Sequence, residues 1–231
     1  MTKHWPNSIT LWLGVLLLLS PRLLCAQVSW EFSPYQIEIW WLTGDSPVVS
    51  PQLLASVSAG FRERAQIVAN AAWEIHDSSP PLEVRGDLLL EELPPEYARL
   101  KSVFDDLSAR DKLIVVRIDE DERGFVVTVR QFDTRTRLWD AVRERATPQR
   151  DQLPFVAWDL VRQSFAPILR VERIQDSNIQ ARVRAGGLVV NPTENPAAVQ
   201  PGDALQPILR RNDRTGEPAK IAGISLAPWS A

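Results

Sequence analysis

Leu113-Ile114-Val115-Val116-Arg117-Ile118, Asp119-Glu120-Asp121-Glu122-Arg123-Gly124 and Phe125-Val126-Val127-Thr128-Val129-Arg130 read in succession as a strand, a charged turn and a returning strand. β-Branched residues fill both runs, and a polar turn ending in glycine joins them, so the pair is a hairpin. Asp133-Thr134-Arg135-Thr136-Arg137 makes a second turn into a third strand, Leu138 to Val142. Upstream, Tyr35, Ile37, Ile39 and Trp41 alternate with Gln36, Glu38 and Trp40, which predicts a strand with one buried face. Ala72 to His76 predicts a short strand.

Helices alternate with these strands. Ser50-Pro51 supplies an N-cap and a proline at the first helical position, followed by Leu54, Val57, Phe61, Ala65 and Val68 at spacings of three and four. Pro94-Pro95 opens a second helix carrying Tyr97, Leu100, Phe104 and Leu107. Thr147-Pro148 opens a third, with Leu153, Val156, Ala157, Leu160, Val161 and Phe165 inward. Three helices with a hairpin-rich sheet predict an α+β class, a layered α/β domain over residues 27–167.

After Pro167 the pattern changes to short strands, Ile168–Ile174, Ile179–Val183, a strand near Ile208 and a last one over Ile221–Leu226, separated by Pro- and Asn-rich loops. This spacing predicts a small β-barrel or sandwich over residues 168–231, packed on the first domain without a flexible linker.

The N-terminus reads as a leader. Lys3 gives a positive start, Ile9 to Leu19 an apolar run, and Ser20-Pro21-Arg22 a break. The run is about half of the roughly 20 residues a spanning helix needs, so residues 1–26 are expected to be a cleaved signal peptide, with Ala26 at the cut. Acylation at Cys25 is the rival reading, and the large Leu24 before it disfavours that. Cys25 is the single cysteine, so cleavage after Ala26 leaves no thiol for disulfides or Cys–metal sites. Without Lys3 and Arg22 the charge is 24 basic against 29 acidic residues, net −5, with the signs interspersed. That distribution argues against nucleic-acid binding. No later segment is apolar enough to span a membrane, so the mature chain is expected in the periplasm or secreted.

Val127 to Thr136, a strand ending in Asp133 and Thr134 and turning into the next strand, resembles the α/β domain of bacterial envelope-assembly proteins of the curli-secretion and flagellar T-ring groups. The tail, with Val199-Gln200-Pro201-Gly202-Asp203-Ala204-Leu205 and Arg211-Asn212-Asp213-Arg214-Thr215-Gly216, is similar to the small β-domain at the end of the T-ring protein. Trp30-Glu31-Phe32-Ser33-Pro34-Tyr35-Gln36-Ile37 resembles the opening of exported proteins of planctomycete bacteria. The resemblance covers residues 30–226. It implies a fold and an envelope setting, and it transfers no active-site residue.

Candidate chemistry is sparse. His76, with Glu74 on the same strand face and Asp77 on the other, reads as a polar residue at a strand end rather than a base or metal ligand. The four consecutive acids of the 119–122 turn lack the staggered oxygens and placed glycine of a calcium loop, and read as a solvated tip. There is no Gly-x-Ser-x-Gly elbow and no phosphate-cradling glycine loop, so neither a metal nor a cofactor is expected. Seven tryptophans follow the leader. Adjacent Trp40 and Trp41 must point to opposite faces. Trp40 and Trp139 are therefore candidate binding residues for a sugar or a protein, and Arg211 and Arg214 for an anionic surface. The leading expectation is a non-catalytic binding or assembly module of the cell envelope, with a protein or polysaccharide partner. The alternatives are an exported hydrolase using two carboxylates on polysaccharide, and a carbohydrate-binding module. N-terminal sequencing of the protein from its native cell is expected to give a chain beginning near Gln27. A cytosolic chain still starting at Met1 overturns the leader.

Overall fold

The computed structural model describes residues 29–44, 46–89, 94–176, 178–214 and 218–223. The leader, Cys25, Gly216 and Trp229 lie outside them. The centre is a mixed sheet of β1 (Tyr35–Thr43), β2 (Trp73–Ser78), β3 (Lys112–Asp121), β4 (Gly124–Asp133), β5 (Leu138–Trp139) and β6 (Arg143–Thr147). The order is β2-β1-β3-β4-β5, with β6 also on β4. β1 is parallel to β2 and β3, and the hairpin strands β3 and β4 are antiparallel. The turn between them closes at Gly124, whose φ is +102°. A Cβ there would lie 2.8 Å from the Pro148 backbone, so turn and neighbour both require glycine.

Helices cover both faces. On one, α1 (Pro51–Val68) and α4 (Leu153–Ser164) enclose Ile37, Ile39, Trp41, Ile114, Val116, Ile118, Val127 and Val129. Ser50 caps α1 by accepting from the Leu53 N–H at 3.2 Å. The buried stripe is Leu53, Val57, Phe61 and Ala65, so Leu53 rather than Leu54 takes the innermost first-turn position. At Gly60 a Cβ would come within 2.9 Å of Pro154, so the bare backbone lets α1 approach α4. On the other face, α2 (Leu82–Leu89) and α3 (Tyr97–Val103) cover Trp40, Leu42, Leu113, Val115 and Phe132. α2 was not anticipated, because Pro80 and Pro81 just before it and Gly86 within it obscure its periodicity. The second predicted helix stops at Val103 and continues as the 3-10 turn Asp105–Ala109, which still buries Leu107.

The one-faced reading of β1 is corrected. β1 lies inside the sheet with helices on both sides, so Trp40 and Trp41 are both buried. Even Glu38 is enclosed, its carboxylate accepting from Ser78 Oγ at 2.5 Å and Arg110 Nε at 3.0 Å.

The α+β class is as expected, but among the described residues the small barrel does not close. β7 (Leu169–Gln175) pairs only with β8 (Asn178–Val183), and β9 (Ile208–Asn212) only with β10 (Pro218–Gly223). The chain between the hairpins is diverted onto the body. Asn195 Nδ2 donates to the carbonyls of Val68 and Ala69 at the end of α1, both at 3.2 Å, and Ala197 is buried beside it.

Trp40 has no exposure and meets Phe104 edge-to-face at 5.6 Å. Trp40→Ala is expected to cost about 3–5 kcal/mol, read as a lower denaturant midpoint with unchanged slope.

Candidate interaction surface

The end of the sheet holding the starts of β1 and β3 and the end of β4 is where the last third of the chain attaches. Its centre is Asp111, fully buried just before β3. Asp111 Oδ2 accepts from the Gln36 backbone N–H at 2.9 Å and from Arg184 Nη2 at 2.6 Å. Oδ1 accepts from Arg135 Nε at 2.9 Å and Nη2 at 2.8 Å. Arg184 also donates to the Pro34 carbonyl at 2.9 Å and lies 4.8 Å from the centre of the Trp30 ring and 5.5 Å from that of Tyr35. Burial pulls the Arg184 guanidinium below its usual range, and Asp111 opposes this. Beside this pair, fully buried Lys112 bonds Asp133 Oδ2, while Asp133 Oδ1 accepts from the backbone N–H groups of Arg135 and Thr136, each at 2.8 Å. The Tyr35 hydroxyl accepts from the Ile168 N–H at 2.7 Å, and burial pushes its phenol upward. Each interior charge here has a counter-charge, the condition under which a buried ion pair is tolerated.

The β7–β8 hairpin projects from this anchor. Leu169 faces Val183 and Val171 faces Ala181; an extra residue in β7 then shifts the register, and Ile174 faces Ile179. The bulge keeps all six side chains on one face, whereas an unbulged strand would send Ile174 to the other. Arg170, Glu172 and Arg182 take the polar face, where Arg182 Nε bonds Glu172 at 2.7 Å and Arg182 Nη1 bonds Glu31 at 3.3 Å. Hydrogen bonds from Arg182 and then Arg170 hold the Glu172 carboxyl below its ordinary 4.5. Its contribution is therefore present above that value and fades as pH falls through the lowered one. The apolar face is open: Val171 is 53% exposed, Ile174 70% and Ile179 65%.

The residues singled out from sequence fall in different places. Trp40 is enclosed core and offers no stacking surface. Trp139 is half-buried, its Nε1 donating to the Pro95 carbonyl at 2.9 Å, with Arg130 5.4 Å from its ring centre. It borders a cavity of about 30 Å³ with Arg117, Thr128 and Arg130, room for a water-sized group. Arg211 and Arg214 are exposed on and just after β9. His76 lies 3.2 Å from Gln36 Oε1 and 3.8 Å from Glu74 Oε1, while Asp77 turns away to Trp41 Nε1, Ser58 and Arg62. Among the described residues no three metal-ligating side chains converge. The acidic turn engages its neighbours: Asp119 bonds Arg117, Asp121 bonds Arg123, and Glu120 accepts from Ser46. Asp111, Lys112, Arg135 and Arg184 were missed, since nothing local in the sequence marks residues so far apart as partners.

The sequence matches no protein-family model and no curated protein. In backbone trace the chain is similar to TolB from Acinetobacter baumannii, with a TM-score of 0.36 and 13% identity over 77% of this chain and 41% of that one. It is also similar to a PelC dodecamer from Paraburkholderia phytofirmans, with a TM-score of 0.29 and 12% identity over 58% and 86%. A third similar structure is the lipoprotein GNA1162 from Neisseria meningitidis, with a TM-score of 0.29 and 15% identity over 56% and 96%. The chain spans about two fifths of the TolB chain it matches. At these scores the likenesses carry no functional argument. No helix among the described residues is long and apolar enough to cross a membrane.

Asp111→Asn removes the counter-charge of two guanidinium groups and is expected to cost about 3–5 kcal/mol in denaturant unfolding. Arg184→Met leaves Arg135 on Asp111. Amide hydrogen exchange should then rise in β7–β8 while β3–β4 keeps its protection.

Proposed function

We propose that the protein is a non-catalytic exported module that binds a protein partner in the cell envelope, with the segment from residue 168 onward as its partner-facing domain. The supporting observation is the β7–β8 hairpin, whose bulge gathers Leu169, Val171, Ile174, Ile179, Ala181 and Val183 on one open face. Burying a Val or Ile side chain contributes about 1.5–3 kcal/mol, so a partner's apolar sheet or groove gains by covering this face. A two-stranded hairpin is marginal alone, and a partner that completes its second layer stabilises it.

The hydrolase reading needs a carboxyl held up toward neutral pH. The carboxyls displaced here, Asp121, Asp159 and Glu172, are all displaced downward, with arginine hydrogen bonds on each. The sugar-binding reading has less support, since Trp40 is fully buried and Trp139 is half-buried with Arg130 beside its ring.

Crosslinking and purification from the native envelope are expected to recover one defined protein with the wild type. The combined Val171→Ser, Ile174→Ser, Ile179→Ser variant, with an unchanged circular dichroism spectrum, should lose it. Recovery of free monomer only, or retention of the partner by the variant, overturns the reading.

A further inference from the structure

The β9–β10 hairpin has a groove of its own, away from the β7–β8 face. Ile208 lies opposite Gly223 and Arg210 opposite Ile221, so Ile208, Ile221 and Gly223 share one face of the hairpin. That face meets the Thr136–Leu138 turn across an open groove of about 350 Å³. Ligand pockets begin at about 300 Å³, so there is room for a large side chain and its neighbours. Arg211 belongs to the opposite face, and the walls here are aliphatic: Ile208, Ala219, Ile221 and half-exposed Leu138.

The two walls differ in firmness. On the turn side, Asp133 Oδ1 accepts from the N–H groups of Arg135 and Thr136, each at 2.8 Å, and the Asp133 carbonyl accepts from the Arg137 N–H at 2.7 Å. Leu138 then pairs with Asp133 in the sheet, so this wall is preformed. The other wall is only two strands wide, and such a hairpin is marginal without a second layer. It is also low in bulk at its end: a Cβ on Gly223 would meet no described atom within 4 Å. The groove therefore suits an apolar occupant that sets a bulky group over Gly223.

The chain supplies one where β10 stops. Gly223 lines the groove and is followed by Ile224-Ser225-Leu226-Ala227-Pro228-Trp229-Ser230-Ala231, which lies outside the described residues. This segment has no charged side chain, in a protein whose charged fraction is 24%. From Gly223 to Trp229 the chain spans at most about 20 Å, and Pro228 directly before the indole favours the turn that brings it back.

We propose that residues 224–231 dock in this groove, with Trp229 between Leu138, Ile208 and Ile221, so that the chain supplies the missing layer of its own second hairpin. A link this short holds the segment at a millimolar effective concentration, and an outside segment of like chemistry must displace it. The site is separate from the β7–β8 face and does not depend on how that face is used.

The test compares amide hydrogen exchange in the full processed protein, its Trp229→Ala variant and a variant ending at Gly223. Both variants should exchange about tenfold faster or more in β9–β10 and at residues 136–138, while β3–β4 keeps its protection and so reports an intact body. A synthetic peptide of residues 224–231, added at millimolar concentration, should restore protection to the variant ending at Gly223 and leave the full protein unchanged. The same peptide with Trp229→Ala, or the substitution Leu138→Asp in the shortened protein, should abolish the restoration. Unchanged exchange in both variants overturns the proposal. So does equal protection of the full and shortened proteins by the peptide, which would mean a groove open to another occupant. These variants leave the β7–β8 face intact, so recovery of an envelope partner tests that reading separately.

Discussion

A carboxylate with no access to water, that of Asp111, has to be neutralised by charges from two other parts of the chain. Arg135 reaches it from the turn after β4, and Arg184 from beyond the β7–β8 hairpin. Stripping a carboxylate of water costs several kcal/mol, so these guanidinium groups are obligatory once the carboxyl is enclosed. Their position follows from the sheet: β1 and β3 run parallel, and the backbone N–H of Asp111 donates to the Gln36 carbonyl as the two strands begin. The same end of the sheet therefore closes the core and attaches the tail.

From that attachment comes the division of the molecule into a body covered on both sheet faces and a tail whose hairpins are open. In the body, both sheet faces are covered and even Glu38 and Lys112 have partners. In the tail, the β7–β8 hairpin shows an apolar face to water. A chain that folds its body so completely while leaving aliphatic residues outside has surface to spare for association. The Glu31–Arg182–Glu172–Arg170 ladder fixes the direction of the first hairpin by occupying its polar side.

Much of the body was legible because its signals are local. The β-branched runs of β3 and β4, Gly124 in their turn, the Ser50-Pro51 cap and the stripe of α1 each act within a few residues. Alternation in β1 gave the strand but misassigned its environment: Glu38 looks solvent-facing until Arg110 and Ser78 are brought to it by other elements. Trp40 met the same fate, since exposure depends on helices that alternation in one strand does not record. The tail misled in the other direction. Its strands were visible, but whether they close into a barrel depends on pairings between hairpins, and the segment bearing Asn195 and Ala197 instead binds the end of α1. The Asp111 cluster left no trace, because a charge before a strand and an arginine after a hairpin are ordinary in isolation.

The bond between Ile168 and Tyr35 joins one of the earliest strands to the last third of the chain, as does Arg184 on Asp111. A polypeptide emerging from its N-terminus has β1, α1 and the β3–β4 hairpin available long before either closing group exists. Until then the phenol and the carboxylate stay hydrated, and the start of the sheet cannot shut. Closure of this end therefore waits until Arg184 has been made. Contacts of such long sequence separation slow the final step of folding.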